Sequence, residues 1–173
     1  MITPDYVQMM ARYNQWQNRN LYDAAGTLND AARQLDRGAF FGSIHTTLAH
    51  ILWGDTLWMS RFDGWEPPTD DGGKVVAGWE KLKEARIAAD AGFIDWGERV
   101  RQEDLQGDFA WYSDALKCDL VKPRAVCVMQ IFNHQTHHRG QVHAMLTAAG
   151  AKPHETDLPF IPEMKGAAER TET

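Results

Sequence analysis

The sequence predicts an all-α protein, an antiparallel four-helix bundle with a short irregular or hairpin-like excursion before its last helix. Three observations carry that expectation. Apolar residues recur at helical spacing through four long segments. Turn chemistry separates them: Gly38, then Asp63-Gly64 with the Pro- and Gly-rich run 66–73, and finally Gly150. Residues 107–122 break the helical period and read instead as two short strands. With 173 residues, 43% hydrophobic and 24% charged, the chain can bury a core of its own as one domain. That domain is expected over residues 1–164, with 165–173 a frayed tail.

The first helix begins after Thr3, an N-cap, with Pro4 in the first turn. Tyr6, Met9, Tyr13, Trp16, Ala24 and Leu28 carry its period to about residue 36, although Asn20 interrupts the stripe. A second helix is expected over Phe40–Phe62, with Phe41, Ile44, Leu48, Ile51, Trp58 and Phe62 on one face. A third should cover roughly 76–104, where Trp79, Leu82, Ala85, Ala89, Phe93, Trp96 and Val100 give the cleanest three-four spacing. Trp16, Trp58, Trp79 and Trp96 read as core. The excursion places short strands on either side of Ser113-Asp114-Ala115. Pro123 opens the last helix, which runs to about Ala149. The proline-rich end then reads as extended chain, with Leu158–Pro162 packing on the body.

Charge narrows the function classes. Twenty-four Asp and Glu against 18 Lys and Arg give a net −6, which disfavours nucleic acid and anionic membranes as partners. The longest apolar run, Ala125–Met129, is far short of the roughly 20 residues of a membrane span. The N-terminus lacks the layout of a signal peptide. Two cysteines cannot make a disulfide framework, so a cytoplasmic setting is expected.

The last helix carries His134-Gln135-Thr136-His137-His138. His134 and His138, four apart, lie on one face about 6 Å apart along the axis and share the inward stripe of Cys127, Ile131, Gln141 and Met145. Two such imidazoles can close on one metal, because each nitrogen sits about 2.0–2.1 Å from zinc. A third ligand must come from another helix. His50 fits, in a row with Thr47 and Gly54 that borders the second helix's core face. His45 points about 140° away and is the weaker candidate. His137, His143 and His154 receive no chemistry. Cys127 reads as an inert buried thiol, and Cys118 has no recognisable partner. Neither His-Glu-x-x-His nor Glu-x-x-His occurs, which argues against that metalloprotease helix and a carboxylate-rich di-iron bundle. No phosphate-binding glycine loop or Gly-x-Ser-x-Gly elbow is present.

The segments Leu48–Trp58 and Asn133–Gln141, with the weaker Arg12–Asn18 and Asp157–Phe160, resemble the DinB/YfiT-like family of metal-dependent bundle proteins. The resemblance spans nearly the whole chain. It implies an up-down-down-up four-helix bundle, usually homodimeric, with a divalent metal held by three histidines. Matched by position, these are His50, His134 and His138, the same three that helical geometry selects. Relatives in this superfamily are thiol-dependent enzymes, so it further implies a small-molecule substrate and a low-molecular-weight thiol partner. An open metal position could instead activate water in a hydrolase. The alternative is a non-catalytic, metal-binding or stress-related homodimer. Zinc or nickel is the expected ion, with iron or manganese the next choices, since imidazole suits several metals. No residue stands out as a general base. Gln141 and Asn14 are candidate polar wall residues.

Overall fold

The computed structural model describes residues 1–69 and 78–162. The expected boundary at residue 164, the frayed tail 165–173 and the start of the third helix at residue 76 lie outside the described residues.

Helix α1 spans Pro4–Gly26, capped by the Thr3 side chain, which accepts from the Tyr6 backbone N–H. It does not run on to residue 36. The chain turns at Thr27, whose hydroxyl bonds back to the Ala24 carbonyl, and Asn29 caps a separate short helix, α2, at Asp30–Gln34. Two local side-chain-to-backbone bonds thus win over an apolar period that continues across the break. The buried face of α1 is also rotated from the expected stripe. It runs through Val7, Ala11, Asn14, Gln17, Asn18, Leu21 and Ala25, while Trp16 is only half-buried.

Helix α3 covers Ile44–Phe62 and starts four residues later than expected. Ser43 and Thr46 form a reciprocal capping box that fixes the start. Phe41, expected on the helix, therefore sits in the preceding turn. Helix α4 spans Trp79–Arg99 and ends short of residue 104, which falls in a one-turn 3-10 segment, Gln102–Leu105. Its buried face holds Trp79, Leu82, Ala89, Phe93 and Trp96 as expected, but Ala85 is exposed and Arg86 and Asp90 lie inside.

The excursion is a two-stranded antiparallel hairpin, β1 Asp108–Ser113 and β2 Cys118–Pro123, with Trp111 opposite Leu120. It is pinned to the end of α3 by aromatic contacts, Phe62 to Phe109 at 4.9 Å and Trp58 to Trp111 at 5.6 Å between ring centroids. Trp58 is accordingly half-buried at this seam. Helix α5, Arg124–Ala148, follows directly and matches its expected range.

The four long helices make a ring of contacts, α1 against α4 and α5, and α3 against α5 and α4. Two apolar clusters fill the interior. One holds Leu21, Ile44, Leu48, Ile51, Val142 and Leu146; the other Val7, Met59, Phe93, Val128, Ile131 and Phe132. Buried polar groups join all four helices. Arg86 of α4 pairs with Asp55 of α3 at 2.5 Å and with Asp90 at 2.8 Å. Asp90 accepts from Asn18 of α1, and Gln135 of α5 donates to Asp55 at 2.7 Å and accepts from Asn14. Such a network satisfies its members only when the helices are in register, which is how buried polar groups contribute specificity.

After α5 the chain returns along α1 as an extended strap. Tyr13 and Gln17 donate to the carbonyls of Thr156 and Glu155. Asn20 donates to the Glu155 carbonyl and accepts from the His154 N–H. Its place in the apolar stripe is thus a clamp for another segment's backbone. Of the segment Leu158–Pro162 expected to pack on the body, Ile161 is buried at 2% exposure and Leu158 partly so, while Pro159, Phe160 and Pro162 are exposed.

Candidate metal centre

His50 projects from the middle of α3, and His134 and His138 from successive turns of α5. Because α3 packs along α5, the three imidazoles converge. One nitrogen from each lies within 4.8 Å of the others. The Nε2 atoms of His50 and His134 are 3.1 Å apart. Nitrogens bound tetrahedrally to zinc at about 2.0–2.1 Å stand about 3.3 Å apart. The His50–His134 pair is close to that spacing, and the His138 nitrogen lies within 4.8 Å of both.

Local sequence sets this geometry. Gly54, one turn after His50, leaves the face of α3 bare, and the His134 ring fills the space. Phe41 stacks on His50 with ring centroids 3.7 Å apart and meets His138 edge-on at 5.4 Å. The turn that places Phe41 needs the positive φ of Gly42, and Thr46 Oγ1 donates to the Phe41 carbonyl. Trp53 stacks near the His50 ring at 5.7 Å.

Gln141, expected as a wall residue, bonds His138 directly. Its Oε1 lies 2.8 Å from His138 Nδ1, and its Nε2 is 3.4 Å from His137 Nε2. An amide oxygen only accepts, so this contact is a hydrogen bond when His138 carries its proton on Nδ1, the tautomer that leaves Nε2 with a lone pair. Asn14 instead belongs to the interior, bonded to Gln135.

The electrostatics favour neutral, ligand-competent imidazoles. Burial, reinforced by the neighbouring histidines, pushes His134 down to about 3 from an ordinary 6.5. His138 is lowered too, mainly by burial. Protonated imidazoles would repel one another and any cation, so these are the protonation states a metal requires. His50 and His134 are partly buried and His138 is buried.

Of the other histidines, His137 is exposed beside the cluster, its ring 4.8 Å from that of His138, and the rest lie outside the group. His45 is buried 6.1 Å from Trp79, away from the cluster. His154 is exposed and His143 half-buried. Cys127 is buried, with its thiol pushed up by burial, and Cys118 is exposed. Sequence reasoning passed over Phe41 as a neighbour of the site and the buried charges Asp55, Arg86, Asp90 and Arg139. Arg86 and Asp90 had a signal: they fall four apart on the apolar face of their helix.

Fold and site together define a helical bundle with a three-histidine cluster across two facing helices, a group that could hold a metal ion. The DinB family model matches residues 1–172, and the chain belongs to the DinB family. A crystal structure of a DinB-like protein from Bacillus cereus is similar in fold, with a TM-score of 0.62 at 16% identity over 80% of this chain and 89% of that one. No curated protein matches the chain.

Proposed function

We propose that His50, His134 and His138 hold a divalent metal, zinc or nickel ahead of iron or manganese, at the centre of an enzyme acting on a small molecule. The preferred reaction is thiol S-transfer, with hydrolysis the second form. The observation that carries the reading is the convergence of three imidazoles, two of them held neutral by burial, with one nitrogen from each within 4.8 Å of the others. When bound, such an ion would keep a position open beside its three imidazoles and lower the pKa of a thiol or water reaching it.

The chain's own residues supply orientation. Gln141 holds the His138 proton on Nδ1, and Gly54 admits His134 to the α3 face. Phe41 covers one face of His50. Partnership with a low-molecular-weight thiol, a homodimeric state and the up-down-down-up helix order belong to the same proposal, as what the family resemblance implies. Among the described residues no helix is long and apolar enough to cross a membrane.

The test compares metal-loaded and metal-stripped protein with low-molecular-weight thiols and monobromobimane as electrophile. Metal-dependent acceleration, lost in His138→Ala, is the expected result. No acceleration by metal-loaded protein with any thiol, and no hydrolysis of model esters, would leave the non-catalytic metal-binding dimer as the better reading.

A further inference from the structure

On the side of α5 turned away from the histidine cluster, a groove of about 260 Å³ runs between α1 and α5. Its walls include Tyr13 and Gln17 of α1, Thr136, Arg139 and His143 of α5, and Thr156 of the strap. Arg139 is the unusual member. The residue is 5% exposed, yet none of its described contacts is a carboxylate. Its Nη2 donates to Thr136 Oγ1 at 3.2 Å and its guanidinium lies 5.4 Å from the Tyr13 ring centroid. Its Nη1 has no hydrogen-bond partner among the described residues. The nearby carboxylates are both engaged elsewhere, Asp55 and Asp90 flanking Arg86.

A buried guanidinium is costly unless an anion or good acceptors replace the water it has lost. The groove offers the room for an anion. Its volume is below the roughly 300–1,000 Å³ of sites for drug-sized ligands, but it accommodates a small polar group. Gly140 lines the groove, and a Cβ there would meet nothing within 4 Å, so that wall has room for a larger side chain. His143 adds a further polar group to the same walls, while the Thr136 hydroxyl donates to the Phe132 carbonyl and Gln17 to the Glu155 carbonyl.

We propose that this groove binds a small oxyanion, a carboxylate or a phosphate, seated against the guanidinium of Arg139. An anion oxygen would give Nη1 the acceptor it lacks, and its charge would remove the need for an internal carboxylate. The site is separate from the histidine cluster and does not depend on metal chemistry.

The test is thermal melting of the full chain in sodium acetate and in sodium phosphate, against sodium chloride at matched ionic strength. The wild-type Tm should rise saturably with at least one of the two anions beyond the chloride control. A response to acetate alone identifies a carboxylate site, and one to phosphate alone a tetrahedral oxyanion site. Arg139→Met should weaken the response by about thirtyfold or more. Gly140→Leu is the second variant, because it improves helix propensity while filling the groove mouth; it should fold and lose the response. A wild-type response no larger than chloride's, or one that survives unchanged in Gly140→Leu, would overturn the proposal.

Discussion

The ring of His134 occupies the space that a side chain on Gly54 would need: a Cβ at residue 54 would lie 2.7 Å from His134 Cε1 and 3.2 Å from its Nδ1. No β-carbon fits at 2.7 Å, so the glycine of one helix and the histidine of the next are a matched pair. Gly54→Ala should push the imidazole away from His50 while improving the intrinsic propensity of α3. The expected result is a loss of metal affinity of about 10–100-fold, the range seen when the supports of a ligand are disturbed. Titration with cobalt or zinc, alongside circular dichroism to confirm the fold, measures it. Unchanged affinity would show that His134 is not held by this contact.

Acid should destabilise the metal-free protein through the same residue. His134 is held at about 3 in the fold, against 6.5 for an ordinary imidazole. Between those values the unfolded chain binds a proton that the folded chain does not, so stability falls as pH drops through the window and is unaffected above it. The slope contributed by one such group is at most about 1.4 kcal/mol per pH unit. Urea unfolding from about pH 7 to about pH 4.5 should show a steeper fall in wild type than in His134→Gln. Parallel curves would contradict the shift and its cause.

The strap gives a stability prediction independent of the metal. Asn20 satisfies the carbonyl of Glu155 and the N–H of His154 with one side chain. Asn20→Ala strands both backbone groups at a part-buried site and should cost about 1–3 kcal/mol. A lower urea midpoint with unchanged slope, together with faster proteolysis after residue 150, is the expected outcome. A midpoint equal to wild type would mean that water replaces the amide without loss.

Much of the bundle and its site could be read from the sequence, for reasons particular residues make plain. His134 and His138 share a face because an α-helix returns after four residues, and no tertiary contact is needed to know it. The hairpin at 108–123 announced itself by breaking that period. Interactions between segments distant in sequence were not legible. The apolar spacing of α1 cannot reveal that Asn20 will meet the peptide at 154–155, and that of α3 cannot place Phe41 outside the helix, because Ser43 and Thr46 decide the start. Arg86 entered the core because Asp55, 31 residues away, was there to meet it. A period rule that admits only apolar residues assigns that position to Ala85 instead.

Metal content is the most direct test of the central claim that His50, His134 and His138 form one metal centre. Freshly purified protein, analysed by inductively coupled plasma mass spectrometry beside His50→Ala and His134→Ala, should carry about one divalent ion per chain, as a three-imidazole site implies. Each variant should lose most of it while remaining helical. Wild-type protein with far less than one ion per chain even after incubation with zinc and nickel, or variants that retain the wild-type content, would contradict the account.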